Sequence, residues 1–131
     1  MNNDAIESEL LELNEALLDS IASGDWDKYS ELCAADLTAF EPESRGHLVE
    51  GMEFHRFYFE LPRGEGPVNM TMSTPQVRML APEAALVCYA RLTQRLGSDG
   101  SPVTSLSEET RVWQRIDGRW RHVHFHRSIG T

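Results

Sequence analysis

The stretch 84–96, AALVCYARLTQRL, constrains the fold of this chain more than any other part of it. Side chains alternate along a strand, so parity assigns them to faces. One face carries Val87, Tyr89 and Arg91, and the other carries Leu86, Cys88, Ala90 and Leu92. A sheet covered by helices on one side should be polar on the other, yet this strand is apolar on both. A contiguous apolar patch is unusual on a monomer, so the Leu86, Cys88, Ala90 and Leu92 face needs cover. The simplest cover is a second copy of the chain, sheet against sheet; burial under the chain's own loops is the alternative.

The rest of the sequence supplies partners for that strand. Asp117-Gly118, a pair favoured in two-residue hairpin turns, separates two strands expected at 105–116 and 119–127. A further strand is expected at 69–80, turned by Ala81, Pro82 and Glu83, and a turn at 97–102 holds two glycines and one proline. Helices come before these strands. Ile6, Leu10, Leu13, Leu17 and Ile21 recur at spacings of three and four and predict a first helix closed by Gly24. Asp25 is placed to cap a second helix from Trp26 to about Leu32. A short strand at 37–40 and a third helix across 49–59 follow, then a loop at 61–67 with two prolines and two glycines. Helices first and antiparallel strands afterwards predict a single α+β domain over 1–131, with helices against one face of a curved antiparallel sheet.

Parity extends the faces across the sheet. Glu109, Arg111 and Trp113 join Val87, Tyr89 and Arg91, as do Val123, Phe125 and Arg127. The opposite face gains Thr110, Val112 and Gln114, then His122, His124 and His126. Leu86, Cys88, Ala90, Leu92, Val112, His122 and His124 are therefore the expected oligomer interface. The three alternating histidines invite a metal reading. Residues two apart on a strand diverge, however, and no carboxylate or cysteine joins them, so no metal is expected there. At an interface they would weaken assembly near pH 5 to 6 as they charge. Phe54, Phe57, Tyr58 and Phe59 are expected to anchor the third helix in the core.

Composition narrows the function classes. The chain carries 21 acidic and 12 basic residues, a formal net charge of −9, which disfavours nucleic acid and anionic membranes as partners. Its two cysteines, Cys33 and Cys88, have no metal spacing and form no disulfide framework. The acidic N-terminus lacks a signal-peptide stretch, and no run reaches the roughly 20 apolar residues of a membrane helix, so a cytoplasmic location is expected. No phosphate loop, metal motif or nucleophile–base arrangement is legible, and no cofactor is expected.

The segments TAFEPE at 38–43, LVEGMEFHRFYFE at 48–60, SEETRVW at 107–113 and HFHRS at 124–128 together resemble the association (hub) domain of calcium/calmodulin-dependent protein kinase II. The resemblance runs from the first helix to the last strand. It implies an NTF2-like cone, in which a long helix and shorter ones pack into a strongly bent sheet. It also implies dimers through the outer sheet surface, stacked into closed rings of roughly twelve or fourteen subunits. No kinase domain, calmodulin-binding segment or linker accompanies it here, and the 61–67 loop is shorter than the family's and lacks its tryptophan.

The same resemblance places Arg91, Arg111 and Arg127 in a deep pocket inside the cone, with His55 near its mouth. Guanidinium groups stay charged when buried, and Glu109 offsets at most one of them. A small carboxylate ligand held by paired N–H donors is the expectation, with Tyr89 as a further donor. An arginine–glutamate network that only braces the fold is the alternative. An enzyme or carboxylate sensor of the ketosteroid-isomerase-like class is the other function reading. The arginine beside Glu109 would make it a poor base at neutral pH, and fold alone carries no activity across.

Overall fold

The computed structural model describes residues 3–64 and 66–130. Helix α1 spans Asn3–Ser23 and buries Leu10, Asn14, Leu17 and Leu18, the i, i+4, i+7, i+8 stripe of one helical face. It stops at Gly24, whose φ of 72° suits a residue without a Cβ. Helix α2, Trp26–Leu32, starts at once, with the Asp25 carboxylate accepting from the Lys28 N–H at 3.1 Å. Strand β1 runs Cys33–Phe40, beginning earlier than the sequence suggests because α2 passes directly into it. A 3-10 turn at Pro42–Ser44 and the two-residue strand β2, Val49–Glu50, lead to helix α3, Glu53–Glu60. The segment expected to be one helix is thus part strand: Gly51, at φ 82°, divides it. The loop expected at 61–67 includes residue 65, which lies outside the described residues.

The long strands are β3 (Val68–Ala81), β4 (Ala84–Leu96), β5 (Pro102–Ile116) and β6 (Arg119–Arg127). With the first two they form one sheet in the order β2-β1-β6-β5-β4-β3. The sheet is mixed, which corrects the antiparallel expectation: β1 runs parallel to β6, pairing Thr38 with His124 and Phe40 with His126. Sequence-adjacent strands form hairpins, but β1 meets a strand from the far end of the chain, where no turn dictates direction. Edge strand β3 carries a register shift between Ser73 and Gln76, where Thr74 takes φ 48° before Pro75. Such a bulge bends the strand, and proline is tolerated there because an edge strand has one unpaired side.

All three helices meet the same face of the sheet. Asn14 of α1 bonds Tyr89 and Trp113, while rings of α2 and α3 approach that face at Phe125 and around it. Leu10, Leu17, Leu37, Ala85, Val87 and Trp113 are fully shielded between these layers. Burying each large apolar side chain contributes about 1.5–3 kcal/mol, so this face holds the molecule together. On the other face Leu86, Cys88, Ala90, Leu92 and Val112 are only half-buried, while Leu106 and Leu80 stand 41% and 57% exposed.

Candidate functional site

A cavity of about 410 Å³ opens between the helices and the inner face of the sheet. Arg91 and Arg95 of β4, Arg111 of β5 and Arg127 of β6 line it, with His55 of α3 and the carboxylates Glu41 and Glu43. Register explains the meeting: Val87 pairs with Arg111, and Arg111 with Phe125, so inward positions of three strands lie side by side. Phe125 also stacks beneath Arg111, its ring 4.4 Å from the guanidinium carbon.

Tyr89 and Glu109 do not line this cavity, a correction to their expected place in its wall. They stand behind it, drawn into the sheet by their partners. Glu109 meets Arg111 at 2.9 Å through one oxygen and Arg91 at 2.9 Å through the other, with its side chain fully shielded. It therefore serves two cations, where one was expected. Tyr89 donates its hydroxyl proton to Glu109 and accepts from Arg111 Nε at 2.9 Å and from Asn14 Nδ2 at 3.0 Å. Asn14 Oδ1 in turn accepts from Trp113 Nε1 at 3.0 Å. Helix α1 thus braces Tyr89 through Asn14. Burial would raise the Glu109 carboxyl, but Arg111 and Arg91 override it and hold it below its usual range. Burial lowers Arg91 despite Glu109, whereas Glu109 outweighs burial at Arg111 and raises it.

The second acidic group escaped sequence reasoning. Glu43 takes a direct bond from Arg127 Nη2, while Glu41 lies 3.9 Å from the same nitrogen. Burial opposes it, yet the Arg127 bond holds Glu43 below its usual range. Glu41 differs. Burial and the charge of Glu43 push it up to about 7 against the pull of Arg127 and Arg111. His55 is buried in the cavity wall, its Nδ1 3.4 Å from Glu41 Oε2. Burial and the nearby Arg111 hold it down to about 4, so it is neutral at pH 7. Parity was the available signal for Glu41: Leu37 and Ala39 point into the core, and Glu41 continues that series.

Two further expectations need correction. His122 is fully buried on the inner face, not on the outer one. A register shift sets Val112 opposite His124 but Trp113 opposite His122, so Val123 is the extra residue of a bulge. One inserted residue reverses every parity assignment N-terminal to it. His122 instead touches Cys33 Sγ and Arg111 Nη1, each at 3.4 Å, and burial keeps it far below the usual histidine range. It can take no part in an interface. In α3, Phe57 and Tyr58 are 60% and 41% exposed, so only Phe54 and Phe59 of the expected aromatic anchor reach the core. A helix of eight residues offers one buried stripe, and consecutive aromatics cannot all lie on it.

The remaining expected interface residues share the outer face. Leu86 pairs with Val112, Val112 with His124, Cys88 with Thr110, and Leu92 with Leu106. His124 Nδ1 is 2.7 Å from Thr38 Oγ1. Both cysteines are free. No group of metal-ligating side chains occurs among the described residues, and no described helix is long and apolar enough to cross a membrane.

Known proteins resemble this chain in sequence and fold. The family of calcium/calmodulin dependent protein kinase II association domains matches residues 6–131. The delta subunit of calcium/calmodulin-dependent protein kinase type II from Oryctolagus cuniculus is 48% identical over 126 residues, 95% of this chain. The matched region spans 24% of that relative's length. Among solved structures, a CaMKII hub homology domain from Chlamydamonas reinhardtii is 47% identical, covering 95% of this chain and 98% of that one, with a TM-score of 0.90. The association domain of CaMKII from C. elegans is 42% identical, covering 98% and 100%, with a TM-score of 0.92. An NTF2-like superfamily protein from Salmonella enterica, 18% identical over 97% and 92% of the two chains, shares the fold with a TM-score of 0.79.

Proposed function

Since this chain belongs to the family of calcium/calmodulin-dependent protein kinase II association domains, we propose that it is a self-association domain that builds closed rings from dimers. One observation carries the reading. All three helices cover the inner face of the sheet, and the outer face keeps Leu86, Ala90, Leu92, Leu106 and Val112 within reach of solvent. A second copy laid on that face satisfies both, and the two-fold contact it creates is self-complementary. Cys88 and His124 lie in the same strip and complete the contact. Ring contacts between dimers then close the assembly.

Native mass spectrometry tests this. The expected masses are high multiples of 14.9 kDa. Leu92→Lys, which places a charge in the dimer contact on the outer face, is expected to lower the assembly mass while leaving the fold native. A wild-type monomer or lone dimer at micromolar concentration overturns the ring.

The cavity belongs to the same proposal and takes a small carboxylate. Arg91, Arg111 and Arg127, with the exposed Arg95 at the rim, line it, and Glu109 and Glu43 do not neutralise them all, while Glu41 is raised to about 7. Buried guanidinium groups left uncompensated favour an anion. Small carboxylates at millimolar concentration are expected to raise the melting temperature of the wild type and not that of Arg127→Ala. Equal response of the two, or none in either, argues for an arginine–glutamate brace instead.

A further inference from the structure

Of the carboxylates around the cavity, Glu41 has the poorest partners. Glu109 holds Arg91 and Arg111 at 2.9 Å, and Glu43 holds Arg127 directly. Glu41 is left with the same Arg127 at 3.9 Å and with His55 at 3.4 Å. Its side chain and that of His55 are 7% and 6% exposed, and Glu41 Oε2 and His55 Nε2 meet no hydrogen-bond partner in the protein; Glu109 Oε2 and Arg91 Nε lack one too, but these two side chains form an ion pair at 2.9 Å. Two buried polar atoms at the wall of a cavity, both short of partners, are where an incoming polar ligand gains most.

We propose that above neutral pH each small carboxylate entering this cavity brings one proton with it, and that Glu41 is the group that receives that proton. The proposal rests on the carboxylate reading above and adds its coupling to pH. The reasoning is electrostatic. A ligand carboxylate competes for Arg127 and sets a third negative charge beside Glu41 and Glu43. Like charges that close do not all stay ionised, and the least compensated one takes up a proton first. Glu41 accepts a proton from solvent on a carboxylate oxygen, and the resulting O–H donates to the ligand or to His55 Nδ1. No other bond forms or breaks.

The groups facing Glu41 leave it as the acceptor. His55 on α3 is held neutral by burial and Arg111. Glu43 on the 3-10 turn is committed to Arg127 of β6, and Glu109 of β5 to two arginines. Arg91 of β4 and Arg111 of β5 stay cationic. Tyr29 of α2 is pushed far above its usual range by burial and stays protonated. Glu41, raised to about 7, is already poised near neutrality.

The test is the affinity for acetate, measured by NMR titration from pH 6 to 9 at constant ionic strength. Acetate is fully ionised across that range, so any change belongs to the protein. Linkage makes the slope of log affinity against pH equal to the number of protons taken up. Affinity is expected to level off toward pH 6 and to fall by up to about tenfold per pH unit above pH 7. Glu41→Gln, which copies the protonated carboxyl, is expected to bind acetate with the same strength from pH 6 to 9. A flat wild-type profile with measurable binding overturns the proposal while leaving the carboxylate reading intact. A wild-type slope that persists in Glu41→Gln overturns the role of Glu41. No acetate binding at any pH overturns both readings. Should Glu41→Gln not fold, proton uptake by the wild type in unbuffered solution decides: close to one proton per acetate at pH 8 supports the coupling, and none refutes it.

Discussion

Replacing Glu109 by glutamine removes the charge that two buried arginines share. Glu109 is fully shielded, as is all but 1% of Arg111, and Arg91 is 11% exposed. Breaking a buried pair by removing one partner costs about 3–5 kcal/mol, because the other charge is left uncompensated. The glutamine oxygen can still accept from Arg111 Nε, so the lower end, about 3 kcal/mol, is expected. A urea slope of about 2 kcal/mol per molar turns that into a midpoint lowered by about 1.5 M. The comparison must be made at one protomer concentration, since association adds to apparent stability. Glu60→Gln serves as the control: its pair with Arg56 is half-exposed on both sides, and its loss costs no more than about 0.5 kcal/mol. Glu109 is held below its usual range, so its stabilisation is complete above the unfolded carboxyl value of about 4.3 and disappears as pH falls below it. The gap between wild type and Glu109→Gln should therefore narrow below about pH 4. A midpoint change under about 0.5 M at pH 7, or a gap unaffected by acid, would refute the view that Glu109 is the counter-charge of the site.

Two other outcomes follow from the same geometry. Asn14→Ala strips partners from the Trp113 N–H and the Tyr89 hydroxyl in a fully shielded place and is expected to destabilise by about 3 kcal/mol, read from chemical denaturation. Acid is expected to weaken the fold from pH 6.5 toward 5. His55 and His122 are both depressed, so their stabilisation is complete above about 6.5 and lost as pH falls. Glu41 is raised to about 7, so its contribution has the opposite sign, being lost as pH rises toward 7, and offsets one of the two histidines. His122→Gln removes the surplus histidine and should flatten the melting temperature between pH 6.5 and 5; an unchanged slope would show that His122 is not its source.

Much of this molecule was legible in its sequence because local rules decide it. The apolar face of α1 through Ile6, Leu10, Leu13, Leu17 and Ile21 follows from helical period, and the Asp25 cap from the orphan amides of α2. Asp117 and Gly118 take φ of 52° and 79°, as a two-residue hairpin turn demands. The two-sided apolarity of β4 marked the face on which the proposed self-association rests, and the FHRFYFE block carried the family resemblance. Parity also put Arg91, Arg111 and Arg127 on one face, since β4 and β5 pair without a break and the β5–β6 shift falls beyond the pairing of Arg111 with Phe125.

Other features were decided only when distant segments met. The direction of β1 beside β6 and the gathering of Glu41 and Glu43 around Arg127 join residues dozens of positions apart, and the bulge at Val123 turns His122 inward against Cys33 of β1. No propensity or spacing encodes such pairings, and one extra residue in a strand is invisible to parity until its neighbour strand is in place. Charge state follows the same division. Sequence names the ionisable groups, but desolvation and the nearest opposite charge set whether Glu41 and Glu109, both glutamates, hold or release a proton at neutral pH.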